Sequence, residues 1–192
     1  MNNEDVIGLF LKTGALLEGH FTYASGRHGA RFLQAARVMQ YPEHAEALCE
    51  AMAAPFAKDA IDLVVGPATG GIILAYETAR ALKCRAACTE KDGDGMALKR
   101  GFALKPGTRV LVVEDITTTG GSVKKSIVHL RQRGAVVIGV GVLIDRSAGE
   151  AKFDCRFEPL ARLDMQSWPP DACALCQQGI PLIEPDDIVI SG

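Results

Sequence analysis

The densest group of side chains able to do chemistry lies between Val110 and Ser122, in the order Val-Leu-Val-Val-Glu-Asp-Ile-Thr-Thr-Thr-Gly-Gly-Ser. Glu114 and Asp115 are adjacent carboxylates that close a run of four apolar residues. Ile116 follows, and then Thr117, Thr118, Thr119, Gly120, Gly121 and Ser122 put hydroxyls and unobstructed amides into one short turn. In parallel sheets, ligands sit beyond the carboxyl ends of strands, where loop amides and a helix N-terminus are free, so this turn suits a phosphate. The carboxylates cannot serve that anion. They imply a second polar feature, either sugar hydroxyls or a metal, and the two halves together point to a sugar phosphate.

Elements must position these residues, and the patterning supplies them. Val110 to Val113 reads as a buried strand, Ser122 to about Arg133 as a helix with Val123, Ile127 and Leu130 inward, and Val136 to Ile144 as the next strand. Gly134 suits the end of that helix. An earlier unit has the same form: strand Ile61 to Val65, the turn Gly66-Pro67-Ala68-Thr69-Gly70-Gly71, a helix through about Leu82, and strand Arg85 to Thr89. Two strand–helix–strand units with near-continuous apolar strands predict an α/β fold with a parallel sheet covered on both faces.

Upstream, Val6, Leu9 and Phe10 predict a short helix over Asp5 to Thr13, interrupted by Gly14 to Gly19. His20 to Met39 reads as extended and irregular. Pro42 can open a helix whose inner face is Ala45, Leu48, Cys49, Met52 and Phe56. Between the two units, Glu90 to Leu98 is rich in Lys, Asp and Gly and reads as a mobile surface loop. A strand is expected near Phe157 to Leu163, followed by an irregular tail with Trp168-Pro169-Pro170, Cys173, Cys176, Pro181 and Pro185.

Composition narrows the class. At 192 residues, 48% hydrophobic and 23% charged, the chain suits one globular domain. A net charge of −2 argues against a nonspecific nucleic-acid footprint. No apolar run approaches the ~20 residues of a membrane span, and the acidic start Met-Asn-Asn-Glu-Asp is unlike a signal peptide. The expectation is a cytoplasmic protein whose six cysteines are reduced. His20, His28, His44 and His129 show no metal spacing. Cys173 and Cys176 have the spacing of half a zinc site without a second pair in sequence, which favours a metal-free tail unless two subunits combine theirs.

The stretch Val110 to Ser122 resembles the phosphoribosyl-pyrophosphate motif of type I phosphoribosyltransferases. Phe21-Thr22-Tyr23-Ala24-Ser25-Gly26-Arg27-His28, Phe32-Leu33-Gln34, Gly66 to Gly71, Asp145-Arg146 and the tail from Cys173 to Pro181 are similar to orotate phosphoribosyltransferases, in a short bacterial and archaeal branch. The resemblance implies the type I fold: a parallel-sheet core over about 41–165, a small hood mainly from about 1–40, and an irregular tail over about 166–192. It implies transfer of 5-phosphoribosyl from phosphoribosyl pyrophosphate to N1 of orotate, giving orotidine 5′-monophosphate and pyrophosphate in pyrimidine biosynthesis. A purine phosphoribosyltransferase is the alternative within the class; a noncatalytic phosphoribosyl-pyrophosphate sensor that regulates nucleic-acid binding is the alternative outside it.

Carried onto this chain, the resemblance gives Glu114 and Asp115 the ribose hydroxyls, with Ile116 between them and the 5′-phosphate loop Thr117 to Ser122. Thr69, Gly70 and Gly71 approach the pyrophosphate, and Mg2+ is held mainly by substrate oxygens rather than by a protein metal site. Orotate falls to Arg146, Thr118 and Phe32, because arginine suits a planar carboxylate. The loop 90–98 takes the place of a catalytic loop that closes over the neighbouring subunit of a homodimer. It would bring Lys91 to the leaving group, with Lys99 and Arg100 as rivals. Two departures stand out: Ala24 and Gly70 occupy positions where many relatives carry lysine.

Overall fold

The computed structural model describes residues 1–23 and 25–184. Ala24 and Pro185 lie outside the described residues. In chain order the elements are α1 (Asn3–Lys12), β1 (Leu16–Thr22), β2 (His28–Leu33), α2 (Ala36–Met39), α3 (Pro42–Ala53), β3 (Leu63–Pro67), α4 (Gly71–Leu82), β4 (Arg85–Asp92) and β5 (Gly95–Leu98). There follow β6 (Arg109–Thr117), α5 (Gly121–Gln132), β7 (Val136–Asp145), β8 (Arg156–Arg162), β9 (Ser167–Trp168) and α6 (Ala174–Gln177).

The main sheet has the order β5-β4-β3-β6-β7-β8. Strands β4, β3, β6, β7 and β8 run parallel, and β5 is an antiparallel edge. Period-two alternation sends successive residues of β6 into different cores. Leu111 and Val113 pack with Val64 and Leu74 in one cluster, whereas Val110 and Val112 pack with Val123, Ile127 and Leu130 in the other. The expected inner face of α3 is buried in the first cluster, Phe56 included. Both faces of the sheet are therefore covered, which is why its strands read as continuous apolar runs.

A second, separate sheet has the order β1-β2-β9, and its Leu16 and Leu33 join the first core cluster. Here three expectations fail. Gly14 to Gly19 does not merely interrupt the first helix, because β1 begins at Leu16 and pairs with β2 (Leu16 opposite Leu33). The segment from His20 to Leu33 is extended, as expected, but in a paired antiparallel hairpin rather than irregularly, and Ala36–Met39 is helical. The tail is not wholly irregular either: Ser167 and Trp168 add a strand to β2, and Ile183 forms a bridge to Phe21. Arg27 fixes the hairpin turn to that added strand, its Nε donating to Ser167 Oγ at 2.9 Å and its Nη2 to the Ser167 carbonyl at 2.6 Å.

The segment 90–98 is likewise no open loop. It is a β4–β5 hairpin in which Asp92 pairs with Gly95 and Lys91 with Met96. Gly93, at φ 55°, takes the left-handed conformation that a two-residue hairpin turn requires. Met96, Ala97 and Leu98 are all buried, and the Leu98 amide donates to His129 Nε2 at 3.1 Å. These three apolar neighbours show no alternation because the hairpin is packed against α5 as well as paired at the sheet edge.

Candidate active site

Strand β6 runs past the end of its apolar segment and delivers Glu114, Asp115 and Ile116 to the carboxyl edge of the sheet. Alternation turns Glu114 to the α5 side and Asp115 to the α4 side. Glu114 is only 9% exposed. Burial, and then the neighbouring Asp115 charge, raises its carboxyl far above the ordinary carboxylate range. Asp115 is also raised, by burial, against the lowering effect of the Ile116 amide that donates to its Oδ1 at 2.7 Å. Two adjacent, poorly solvated carboxylates favour whatever donates hydrogen bonds to them or brings positive charge.

The neighbouring turns are shaped to bring such a group close. Gly70 faces Asp115, and a Cβ on Gly70 would collide with that carboxylate. Gly66 and Gly71 are packed backbone against backbone, with no room for a side chain at either. The Ala68–Thr69 peptide is cis, and the Ala68 amide donates to the Thr89 carbonyl at 2.7 Å. A cleft of about 320 Å³ opens here, lined by Gln34, Ala36, Met39, Thr69, Gly70, Ile73 and Asp115. A hollow of about 420 Å³ lies elsewhere, between the β4–β5 hairpin and α5; its lining lacks both the carboxylate pair and the glycine turns.

Beyond β6 the chain turns through exposed Thr118 and Thr119 into α5. Gly120 precedes the helix at φ 71°, and a Cβ there would meet the Phe153 ring at 2.7 Å. No side chain caps α5, so the amides of its first turn remain free for an anion. Lys124 reaches back from the helix, its Nζ donating to the Thr119 carbonyl at 2.9 Å, and stabilises the turn.

Arg146 follows β7 directly, and its amide donates to the Thr117 carbonyl at 2.8 Å, which ties it to the end of β6. Its guanidinium lies over the Tyr23 ring, 5.4 Å from the centroid. The Tyr23 hydroxyl donates to the Arg31 carbonyl at 2.6 Å, so Tyr23 is itself fixed to β2. Asp145 does not hold Arg146: it accepts from the Ser147 amide at 2.8 Å and lies 3.7 Å from Arg162. Among the described residues, Arg146 Nε and Thr117 Oγ1 are buried polar atoms without a hydrogen-bond partner. Orphaned groups of this kind are costly, and a ligand able to bond Arg146 and Thr117 would relieve that cost; Thr78 Oγ1, buried on α4, is a third such atom outside the site. Burial also lowers the arginine pKa, opposed by Tyr23.

The structure thus brings together Glu114, Asp115, Ile116, the turn Thr117 to Ser122, Thr69 to Gly71, and Arg146. Phe32 is half-buried on β2 with its ring 5.8 Å from Phe21, and the ring stacked on Arg146 is Tyr23. In the sequence Tyr23 belongs to a recognisable motif but has no role of its own; an aromatic residue beside a sharp Ser-Gly turn was the available signal. Gln34, part of a second such motif, lines the cleft. Lys91 lies exposed on the hairpin, paired with Met96. Its two rivals are engaged: Lys99 pairs with Asp92 at 3.2 Å and Arg100 grips both oxygens of Glu90.

A parallel sheet with a carboxylate pair and a hydroxyl-rich anion turn at its edge, facing a small antiparallel sheet, defines a type I phosphoribosyltransferase. Residues 42–157 match the family model described as the phosphoribosyl transferase domain. "Orotate phosphoribosyltransferase" of Pelotomaculum thermopropionicum is 48% identical over 96% of this chain and 97% of its own length. The protein of the same name from Thermotoga maritima is 48% identical over 91% and 93%. The crystal structure of orotate phosphoribosyltransferase from Aeropyrum pernix is similar with a TM-score of 0.69 and 28% identity, over 82% of this chain and 93% of that one. An adenine phosphoribosyltransferase from Rhodothermus marinus, at 23% identity and a TM-score of 0.64 over 82% and 99%, shares the fold. The chain belongs to the orotate phosphoribosyltransferase family.

Proposed function

We propose that this chain transfers the 5-phosphoribosyl group of phosphoribosyl pyrophosphate to N1 of orotate, releasing pyrophosphate and forming orotidine 5′-monophosphate for pyrimidine synthesis. The observation that carries the acceptor is the half-buried Arg146, whose Nε is buried and unpartnered and whose amide is tied to the end of the carboxylate-bearing strand. A guanidinium can take a planar carboxylate in paired hydrogen bonds, and orotate has one. Purine bases lack it, and the adenine enzymes among the structural neighbours are too distant in sequence to bear on more than fold.

The residue roles follow from the chemistry. As pyrophosphate leaves C1′, positive charge develops on the ribose. Glu114 and Asp115 accept hydrogen bonds from the 2′- and 3′-hydroxyls and set negative potential beside that charge. Those hydroxyl bonds favour the ionised carboxylates and so offset the cost of their burial. Free amides and hydroxyls from Thr117 to Ser122 hold the 5′-phosphate. Thr69, Gly70 and Gly71 admit the pyrophosphate close to the backbone. Thr118, exposed on the turn that follows Thr117, supports contact with the base together with Arg146, and Tyr23 and Phe32 supply apolar surface from the small sheet.

The donor set suits magnesium: two adjacent carboxylates stand beside a glycine turn that leaves space for substrate oxygens. When bound, the ion neutralises charge on the departing pyrophosphate. Lys91, exposed on the hairpin, would assist the same departure in the partner site of a homodimer. Exposed Ile72, Ile73 and Tyr76, at 42%, 51% and 64%, form an apolar stripe on α4 that supports self-association. In this reading the chain is one catalytic unit whose hood, mainly 1–40, covers the core. The enzyme works in the cytoplasm, without nucleic acid; no described helix is long and apolar enough to cross a membrane.

The test is turnover of pure protein with phosphoribosyl pyrophosphate, magnesium and orotate, followed by loss of orotate absorbance. No reaction with orotate, alongside reaction with adenine, hypoxanthine or xanthine, would overturn the proposal.

A further inference from the structure

Four side chains that the transfer reaction does not use meet where the tail packs against the small sheet. His20 comes from β1, His28 from β2, and Cys173 and Cys176 from the start and body of α6. One ligand atom from each lies within 4.8 Å of all the others. His20 Nε2 is 3.2 Å from His28 Nδ1, 3.4 Å from Cys173 Sγ and 3.7 Å from Cys176 Sγ, and Cys176 Sγ is 3.3 Å from His28 Nδ1.

These separations are those of a tetrahedron around a metal. Zinc bonds of ~2.3 Å to sulfur and ~2.0–2.1 Å to nitrogen at tetrahedral angles place nitrogens about 3.3 Å apart and nitrogen about 3.55 Å from sulfur. The observed contacts fall on either side of those values by a few tenths of an ångström. The protonation pattern agrees. His20 Nδ1 is 2.8 Å from the Ile180 carbonyl, which can only accept, so Nδ1 carries the proton and Nε2 presents its lone pair to the cluster. Three neighbours then converge on one lone pair, more than hydrogen bonding satisfies. A divalent ion with two thiolates and two neutral imidazoles satisfies all four ligands and leaves a centre with no net charge. That suits a site in which Cys173 is fully buried, and His20 and His28 are 1% and 7% exposed.

We propose that His20, His28, Cys173 and Cys176 bind one Zn2+ in a closed, structural Cys2His2 site. Two sulfur and two nitrogen ligands in tetrahedral array select zinc over magnesium or calcium, and four protein ligands leave no position for a substrate. The site closes the tail onto the hairpin at the point where Ile183 bridges Phe21. It also anchors both ends of the β1–β2 turn, because His20 and His28 flank the segment that carries Tyr23, the ring under Arg146. The ion would therefore position the base-binding side of the active site without touching substrate.

Full-length protein purified without chelator should contain one zinc per chain by elemental analysis. A mercurial thiol reagent should release it in step with loss of two thiols. Protein refilled with Co2+ should show the intense visible bands of tetrahedral cobalt and a thiolate charge-transfer band in the near ultraviolet. Cys176→Ser, at the exposed ligand, should lose the charge-transfer intensity and weaken zinc binding beyond the ~10–100-fold typical of losing a mere supporting residue; His28→Gln should do the same, and Cys84→Ser should not. Octahedral cobalt signals insensitive to Cys176→Ser, a Cys173–Cys176 disulfide in the purified protein, or protein that takes up no zinc after reduction and zinc addition would each overturn the site. If a variant fails to fold, zinc content and cobalt spectra of the wild-type protein still decide for or against the site.

Discussion

Removing the charge of Glu114 should stabilise the free protein while damaging the enzyme. Burial, and then Asp115, pushes the Glu114 carboxyl up to about 8. The unfolded chain releases that proton at the ordinary value of ~4.3. Between these limits the folded state holds a proton that the unfolded state has lost. Stability therefore falls as pH rises through the window, by up to ~1.4 kcal/mol per pH unit. The penalty is absent below the unfolded value and complete above the folded one. For an isolated group it would total ~5 kcal/mol; shared with Asp115 and relieved by local hydration, a net effect on the order of 2 kcal/mol is the expected scale. Glu114→Gln keeps the shape, and its oxygen can still accept from the Asp115 amide, a 3.3 Å contact in the parent. Urea unfolding of parent and variant from pH 5 to pH 9, without substrate, gives the difference curve, in which other titrating groups cancel. The variant should match the parent near pH 5 and exceed it by about 2 kcal/mol at pH 8, while its turnover collapses. Parallel curves, or a variant less stable at pH 8, would refute the assignment of a strained, uncompensated carboxylate pair.

Two further outcomes test the placement of individual residues. Gly70→Ala inserts a Cβ into the Asp115 carboxylate and should lower turnover on the order of 100-fold, as misplacement of a positioning group does, with the circular dichroism spectrum retained; near-parental turnover would show that Gly70 does not border the donor site. Lys91→Ala and Asp115→Asn subunits should each be nearly inactive alone and regain activity when mixed as heterodimers, up to about one site in two. No recovery in isolated heterodimers would remove Lys91 from the neighbouring site.

The core was legible because its signals are local. Residues 61–82 and 110–144 each contain a buried strand, a glycine turn and an amphipathic helix within a few dozen residues, and their strands are apolar on both faces. The structure adds length at the strand ends: β4 runs to Asp92 and β6 to Thr117, past the point where the apolar pattern stops. Those polar extensions carry the proposed site residues, and hydrophobic periodicity does not reach them. The β4–β5 hairpin was missed although Gly93-Asp94 is a two-residue turn signal, because charged residues on β4 masked the pairing.

The small sheet was poorly legible for a different reason. Its strands are short, and its third strand and half of the His–Cys cluster come from the other end of the chain. His20 and Cys173 are 153 residues apart, and no spacing rule reaches that far. Half a zinc site was visible at Cys173 and Cys176; the other half is a pair of histidines brought together only by the β1–β2 register. Arg146 was found through resemblance, whereas its partner ring, Tyr23, required the fold.

Acceptor choice by Arg146 is most directly measured as a ratio of ratios. Initial rates with phosphoribosyl pyrophosphate should be determined for orotate and for uracil, which lacks the carboxylate, in the parent and in Arg146→Ala. Hydrogen bonds to a charged group contribute ~1.5–3 kcal/mol, so the parent should prefer orotate by at least ~10–150-fold in kcat/KM. In the variant that preference should largely vanish, through a rise in the orotate KM, with the phosphoribosyl pyrophosphate KM little changed. A variant that still prefers orotate as strongly as the parent would contradict the assignment of the base carboxylate to Arg146.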